Sequence, residues 1–162
     1  MTQPAALTVK DMHRKMAIDA YNFTWSLLVK RDRTAEEDET MLQAAYASRY
    51  HWGEVGTPIN YERGDWQISR VYAVLGNAEE AIRYGQLCLD RCIAEGIGDF
   101  DLAYAYEALM RGWLVDGDAE KAAEYEHRAR EAALQIKKDG DRNWFLKELD
   151  YALVEPRVCL ND

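Results

Sequence analysis

The strongest constraint on the fold is a short pattern that recurs at nearly even spacing along the chain. It reads RTAEE from Arg33, GNAEE from Gly76 and GDAEK from Gly117, so the copies lie 43 and 41 residues apart. Each copy combines a residue that ends the preceding helix, a polar residue that can cap the next helix, an alanine and a charged first turn. A period of about 42 residues fits two helices with their turns, and such hairpins stack into arrays.

Apolar residues recur every three or four positions almost throughout, and the alternation typical of strands is scarce. We therefore expect an all-α domain covering residues 1–162, with about three antiparallel hairpins and a C-terminal helix. The hairpins are predicted over residues 8–53, 58–96 and 99–138, and the final helix over 141–153. The third helix could also begin at Gly64-Asp65, because glycine before a capping residue is a second start signal.

Finer boundaries follow from capping residues, glycines and prolines. Met12, Met16, Phe23 and Leu27 lie on one stripe of the first helix, predicted over residues 8–30. The fifth helix is predicted to be capped by Asp99, and the sixth to reach about Lys138. A turn is expected over residues 139–141, and a loose tail after Pro156.

The second and third units resemble the tetratricopeptide repeat. That family has an aromatic residue four positions before a turn glycine, and small residues five and twelve positions after it. The matching residues are Tyr72, Gly76, Ala81 and Cys88, then Trp113, Gly117, Ala122 and Ala129. The period exceeds the usual ~34 residues. Gly85 and Glu126 replace a usual aromatic, Arg33 replaces the first turn glycine, and Asp38 replaces the small residue after it.

The resemblance implies a right-handed superhelix whose concave groove is lined by the first helix of each pair. The segments SRYHW from Ser48 and WQISRVY from Trp66 also resemble a set of uncharacterised bacterial proteins. That second resemblance implies no activity.

The charge of the chain argues against two classes of partner. Asp and Glu number 29 against 20 Lys and Arg, giving a net charge of −9. An acidic domain repels nucleic acid and anionic membrane surfaces, so neither is expected as a partner. The cysteines are odd in number, namely Cys88, Cys92 and Cys159, and the sequence shows neither an export signal nor an apolar stretch long enough to span a membrane. These features predict reduced thiols and a cytoplasmic location. Cys88 and Cys92 are expected to be core residues.

Two sets of residues at helical spacing predict a binding groove. Arg63, Gln67 and Arg70 share one helix face, and the next groove helix repeats the spacing with Tyr104, Glu107 and Arg111. The first hypothesis is a non-enzymatic module that binds a protein or peptide, with an acidic or C-terminal segment held by the arginines. Trp66 and Tyr104 would pack on its apolar parts. In the structural alternative, the arginines instead pair with Glu62, Glu107 or Asp101.

The second hypothesis is a small-molecule site, sensing or catalytic, between the first two hairpins, lined by His51, Tyr61 and Arg70. In a third, the final helix fills the groove. His51 could be a base or a ligand, but no two histidines lie at ligand spacing, so we expect no metal, cofactor or catalytic residue. Self-association through an exposed end of the array remains open, since terminal repeats need covering.

Overall fold

The computed structural model describes residues 6–160, and over that range the chain is entirely α-helical, with no strand. The all-α expectation is confirmed. The seven helices are α1 (Val9–Leu28), α2 (Ala35–Val55), α3 (Pro58–Leu75), α4 (Ala78–Glu95), α5 (Asp99–Asp116), α6 (Ala119–Ala133) and α7 (Asp139–Val154). None of these helices is long and apolar enough to cross a membrane.

The recurring five-residue pattern forms the helix boundaries. Thr34 caps α2 by accepting a hydrogen bond from the Glu37 backbone N–H at 3.2 Å, and the Glu37 carboxylate accepts one from the Thr34 N–H at 2.9 Å. Gly76 and Gly117 end α3 and α5 with φ of 81° and 89°. Glycine suits these positions, because a side chain is strained in the left-handed region.

Several predicted boundaries need correction. α3 begins at Pro58, and Gly64 lies inside it. Asp99 does not cap α5 but is its first residue, at φ +55°, and its carboxylate accepts a hydrogen bond from the Phe100 N–H at 2.7 Å. α6 ends at Ala133 rather than near Lys138, which lets the following turn bring Ile136 into the core with 1% of its surface exposed.

The turn predicted over residues 139–141 is instead the first turn of α7. Asp139 and Asp141 lie there, where their negative charges favour the positive end of the helix dipole. The tail after Pro156 was expected to be loose and is packed against the helices, since Cys159 is only 3% exposed.

The helices form two rows. Consecutive helices pack on each other, and α1, α3, α5 and α7 also touch in sequence. The backbones of α2, α4 and α6 lie farther apart in the described chain, and α2 meets α4 through side chains, where the Tyr84 hydroxyl donates to the Tyr46 hydroxyl at 3.0 Å. The row of odd-numbered helices is therefore closely spaced and the other row is splayed. The closely spaced row carries the cavity described below.

Small residues allow the rows to pack closely. Cys88, Ala81 and Ala129 are fully buried, as the repeat pattern predicts. A Cβ atom at Gly112 would lie 2.7 Å from the Ile82 Cγ1 atom and 3.2 Å from its backbone nitrogen, so α5 crosses α4 with no room for a side chain. The helix crossing explains a glycine that is otherwise unfavourable inside a helix.

The apolar stripe predicted on α1 is buried only at Leu27. Met12, Met16 and Phe23 are 44%, 45% and 47% exposed. The buried face of α1 consists of Ala17, Thr24, Leu27 and Leu28, and the helix packs against α2 and α3. No earlier helix in the described chain covers the other side of α1, so part of its apolar surface faces solvent.

Candidate functional site

A cavity of about 680 Å³ opens on the row formed by α1, α3, α5 and α7. Each of these helices contributes to its wall, and Leu160 of the tail completes it. The cavity is lined by Tyr21, Trp25, Ser26, Val29, Glu62, Arg63, Trp66, Phe100, Asp101, Tyr104, Trp144, Glu148 and Leu160. Of the predicted groove residues, Arg63, Trp66 and Tyr104 are in this set.

Aromatic rings form a continuous surface in the cavity. Trp25 of α1 lies 5.7 Å from Trp66 of α3, and Trp66 meets Tyr104 of α5 edge to face at 5.4 Å, measured between ring centroids. Phe100 lies 4.5 Å from Tyr104. Rings held this way present both apolar area and π faces to a ligand. Trp66 is 9% exposed, and its indole N–H has no hydrogen-bond partner among the described residues.

Arg63 lies at the edge of the cavity and is paired with a carboxylate. Its guanidinium donates two hydrogen bonds to Asp101, from Nε at 2.8 Å and from Nη2 at 3.1 Å. The bidentate geometry fixes both side chains, and the hydrogen bond to Asp101 raises the pKa of Arg63. Half of the Arg63 side chain is exposed. The structural alternative considered for this arginine, pairing with a carboxylate of the same protein, is therefore observed.

The other predicted arginines lie below the cavity in a buried ionic network. Glu107 accepts a hydrogen bond from Arg70 Nη2 at 3.1 Å and another from Arg111 Nε at 2.7 Å. Burial alone would raise the pKa of Glu107, but the two guanidinium groups hold it below its ordinary value. All three side chains are buried and already bonded to one another, and none of them lines the cavity.

The network continues toward the cavity floor. Arg70 Nη1 lies 3.8 Å from Glu148 Oε1, and the other oxygen of Glu148 accepts a hydrogen bond from the Tyr104 hydroxyl. Burial and the negative charge of Glu148 raise the pKa of Tyr104, which keeps its hydroxyl a donor. Glu148 is on α7, so the final helix is tied to α3 and α5 through these contacts.

The C-terminal tail packs against the buried ionic network. Arg111 Nη1 donates to the carbonyl oxygen of Pro156 at 2.8 Å, and Arg70 Nη1 donates to Cys159 Sγ at 3.6 Å. Arg157 donates to the Val74 carbonyl at the end of α3. The tail thus occupies Arg70 and Arg111, two of the three arginines predicted to bind a peptide.

Glu62 lines the cavity, although the sequence analysis did not predict it as a site residue. It is 1% exposed, and neither carboxyl oxygen has a hydrogen-bond partner within residues 6–160. Burial, helped by the charge of Asp101, raises the pKa of the Glu62 carboxyl to about 8. A signal was present, because Glu62 precedes Trp66 by four residues and therefore shares its helix face.

Two predicted residues lie outside the cavity wall. Gln67 is fully buried and donates to the Tyr21 carbonyl of α1 at 3.0 Å, so it joins two helices. His51 lies on α2, where its Nδ1 atom is 2.8 Å from Nδ1 of His13. Among the described residues, no group of three or more His, Cys, Asp and Glu side chains is arranged to hold a metal ion.

The three cysteines are buried, and none of them forms a disulfide bond in the described structure. Burial raises the pKa of Cys88 well above its ordinary value and that of Cys92 to about 12. Both thiols therefore stay protonated near neutral pH and are poor nucleophiles.

Comparison with protein-family models, with curated proteins and with solved structures found no match to this chain.

Proposed function

We propose that this protein binds a small organic molecule in the cavity between α1, α3, α5 and α7. The observation that carries the proposal is an aromatic-walled cavity of about 680 Å³ that contains buried polar atoms without partners. Its size lies within the ~300–1,000 Å³ range of small-molecule sites, which combine apolar walls with a few polar groups. The second sequence hypothesis also named a small-molecule site, but it placed the site between the first two hairpins. His51, Tyr61 and Arg70, the residues it named, do not line this cavity.

The unpartnered atoms support a ligand because they are unfavourable in an empty site. Burying a polar group without a hydrogen bond costs about 1–3 kcal/mol in protein mutational data. Glu62 and the Trp66 indole both lack a partner among residues 6–160, and both line the same cavity. A ligand that bonds to either group recovers part of this cost, so binding and site stability are coupled.

The tail supports a small ligand over a long peptide. Residues after Pro156 use Arg70 and Arg111 and pack against the buried ionic network. An extended peptide would have to displace this segment to run along the concave surface, whereas a compact molecule fits the space that remains. The proposal is limited to binding. Tyr104 and Glu148 pair a hydroxyl with a carboxylate in the cavity wall, but burial and the charge of Glu148 raise the pKa of Tyr104, so its hydroxyl is a poor nucleophile near neutral pH.

The test is a fragment screen by ligand-observed NMR on the full chain, followed by titration of the hits. Ser26 is an exposed lining residue, so Ser26→Trp would fill the cavity while leaving the core intact. Ala47 is exposed on α2 outside the cavity, and Ala47→Trp is the matched control. We expect hits whose affinity falls at least about tenfold in the first variant only.

Changes in tryptophan fluorescence give a second readout, because Trp25, Trp66 and Trp144 all line the cavity. Hits that bind equally to both variants would lie elsewhere on the surface and would count against the proposal. A screen with no hits on the wild-type chain would also contradict it.

A second candidate is a peptide-binding module, as the tetratricopeptide resemblance implies. One observation favours it: Arg111 holds the tail through the backbone carbonyl of Pro156, a contact that any peptide could make. On this reading the tail occupies a site that an extended segment of a partner could take. A chain ending before Pro156 should then bind a synthetic peptide of residues 156–160, and failure to do so would count against this candidate.

A further inference from the structure

The carboxyl groups of the cavity differ in whether they have hydrogen-bond partners. Three carboxyl groups line it, on Glu62, Asp101 and Glu148, against the single cation of Arg63. Asp101 is bonded by Arg63 and Glu148 by Tyr104. Glu62 alone has no bonded partner among the described residues. Glu62 is therefore the lining carboxyl group that neither a hydrogen bond nor an ion pair of the described residues satisfies.

The groups around Glu62 come from four helices, and its positive neighbours are already engaged. On α3, Arg63 bonds Asp101, and on α4, Arg91 donates to Asp65 at 3.0 Å. The remaining ionisable neighbours are acidic or neutral: they are Asp65, Cys88, Cys92, Asp101 and Tyr21. The Nε group of Arg91 has no hydrogen-bond partner, but no arginine forms an ion pair with Glu62 in the described structure. A cation that pairs directly with an ionised Glu62 would therefore come from outside.

The walls of the cavity also suit a positive charge. Aromatic faces attract cations within about 6 Å of the ring centroid, and the attraction is strongest where water is excluded. Trp66 already demonstrates this with the protein's own cation, because the Arg70 guanidinium carbon lies 4.8 Å from its ring centroid. Trp25, Tyr104 and Trp144 offer further rings on the cavity wall.

We propose that the ligand is a small organic cation, with a primary or secondary ammonium group on an apolar or aromatic body. Its N–H groups would donate to the unpartnered oxygens of Glu62, while the rings of Trp25, Trp66 and Tyr104 enclose the body. This inference rests on the proposed small-molecule function and names the ligand class. A quaternary ammonium lacks the N–H donors that Glu62 requires.

The proposal has a pH signature. The Glu62 carboxyl has a pKa raised to about 8 in the free protein, so it holds a proton near neutral pH. A cation would bind the ionised form and release that proton, so affinity should rise by up to about tenfold per pH unit until Glu62 is ionised. A ligand that accepts a hydrogen bond from neutral Glu62 would show the opposite slope.

The test is calorimetric titration of the full chain with three probes that share one skeleton: 2-phenylethylamine, 2-phenylethanol and phenylacetate. Measurements at about pH 6 and about pH 8.5 span the Glu62 titration while the amine, like lysine, stays protonated. We expect the amine to bind best, at least about tenfold more tightly than the alcohol at the higher pH, since one charge-assisted hydrogen bond contributes about 1.5–3 kcal/mol.

Glu62→Gln should abolish both the preference for the amine and its rise with pH. Glu131→Gln is the matched control, because it makes the same replacement at an exposed side chain on α6 outside the cavity. At about pH 8.5, where Glu62 is largely ionised, the two variants also change the net charge alike. Circular dichroism and thermal unfolding of each variant establish that it is folded.

Two results would overturn the inference. If the alcohol or phenylacetate binds as tightly as the amine, the ligand class is wrong, while the proposed function stands provided Ser26→Trp still abolishes binding. If none of the three probes binds, the cation inference also fails, and the fragment screen then decides separately whether the cavity binds any small molecule.

Discussion

Replacing Glu62 by glutamine should change how the stability of the protein depends on pH. The Glu62 carboxyl is 1% exposed and its pKa is raised from 4.5 to about 8. The folded protein therefore holds a proton that the unfolded chain releases between these values. Its contribution to stability is fully present below about pH 4.5 and is lost as the pH rises to about 8.

The magnitude follows from proton linkage. Each pH unit between the two pKa values lowers the free energy of unfolding by about 1.4 kcal/mol, so from about pH 5 to about pH 8 the loss is ~4 kcal/mol. Glutamine has nearly the same shape and binds no proton in this range. The difference between Glu62→Gln and wild type isolates the Glu62 contribution, because other titrating groups act on both proteins.

The assay is urea unfolding followed by circular dichroism, at half-unit pH steps from about pH 5 to about pH 9. We expect Glu62→Gln to become progressively more stable than wild type as the pH rises, with the gap constant above about pH 8. Glu131→Gln controls for the lost charge. Parallel profiles for wild type and Glu62→Gln would refute the reasoning, since they would mean that the folded protein solvates the ionised carboxylate.

Three further changes test the packing. Glu107→Gln should lower the free energy of unfolding by about 3–5 kcal/mol in urea titrations, because two buried arginines lose their carboxylate; a loss below about 1 kcal/mol would contradict a buried network. Gly112→Ala should cost about 1–3 kcal/mol despite its better helix propensity, whereas Gly140→Ala, with open space around it, should cost nothing. Ending the chain before Pro156 should lower the urea midpoint and increase hydrogen exchange in α5, and unchanged exchange would show that the tail contacts contribute little.

The architecture could be predicted because its signals are local. Helix starts at Thr34 and Asn77 depend on a side chain bonding a backbone N–H three residues on, and ends at Gly76 and Gly117 depend on one residue's φ. Each of these can be found in a window of a few residues. The end of α6 at Ala133 could not be predicted in this way, because it depends on Ile136 packing against α5 and α7.

The site was predicted only in part. The groove hypothesis placed Arg63, Trp66 and Tyr104 near one another, and all three line the cavity. Spacing could not show that Arg70 would be buried, since its partner Glu107 is on another helix. Glu62 was considered only as a partner for an arginine. Nothing in the sequence shows that its carboxyl group would be buried without a hydrogen-bond partner. Residues after Pro156 have no periodic pattern, so nothing in the sequence predicts their contacts.

The packed tail changes how the array should unfold. Cys159 enters the same apolar cluster as Leu27 and Leu28 of α1, and Arg31 at the end of α1 donates to the Tyr151 hydroxyl of α7. The two ends of the chain are thus joined to each other as well as to their neighbours. An open helical array can fray from either end, because each unit depends only on the next one. Joining the ends removes that freedom, so we expect a single cooperative transition. A nascent chain on the ribosome would complete the apolar cluster around Leu27 and Leu28 only after Cys159 emerges.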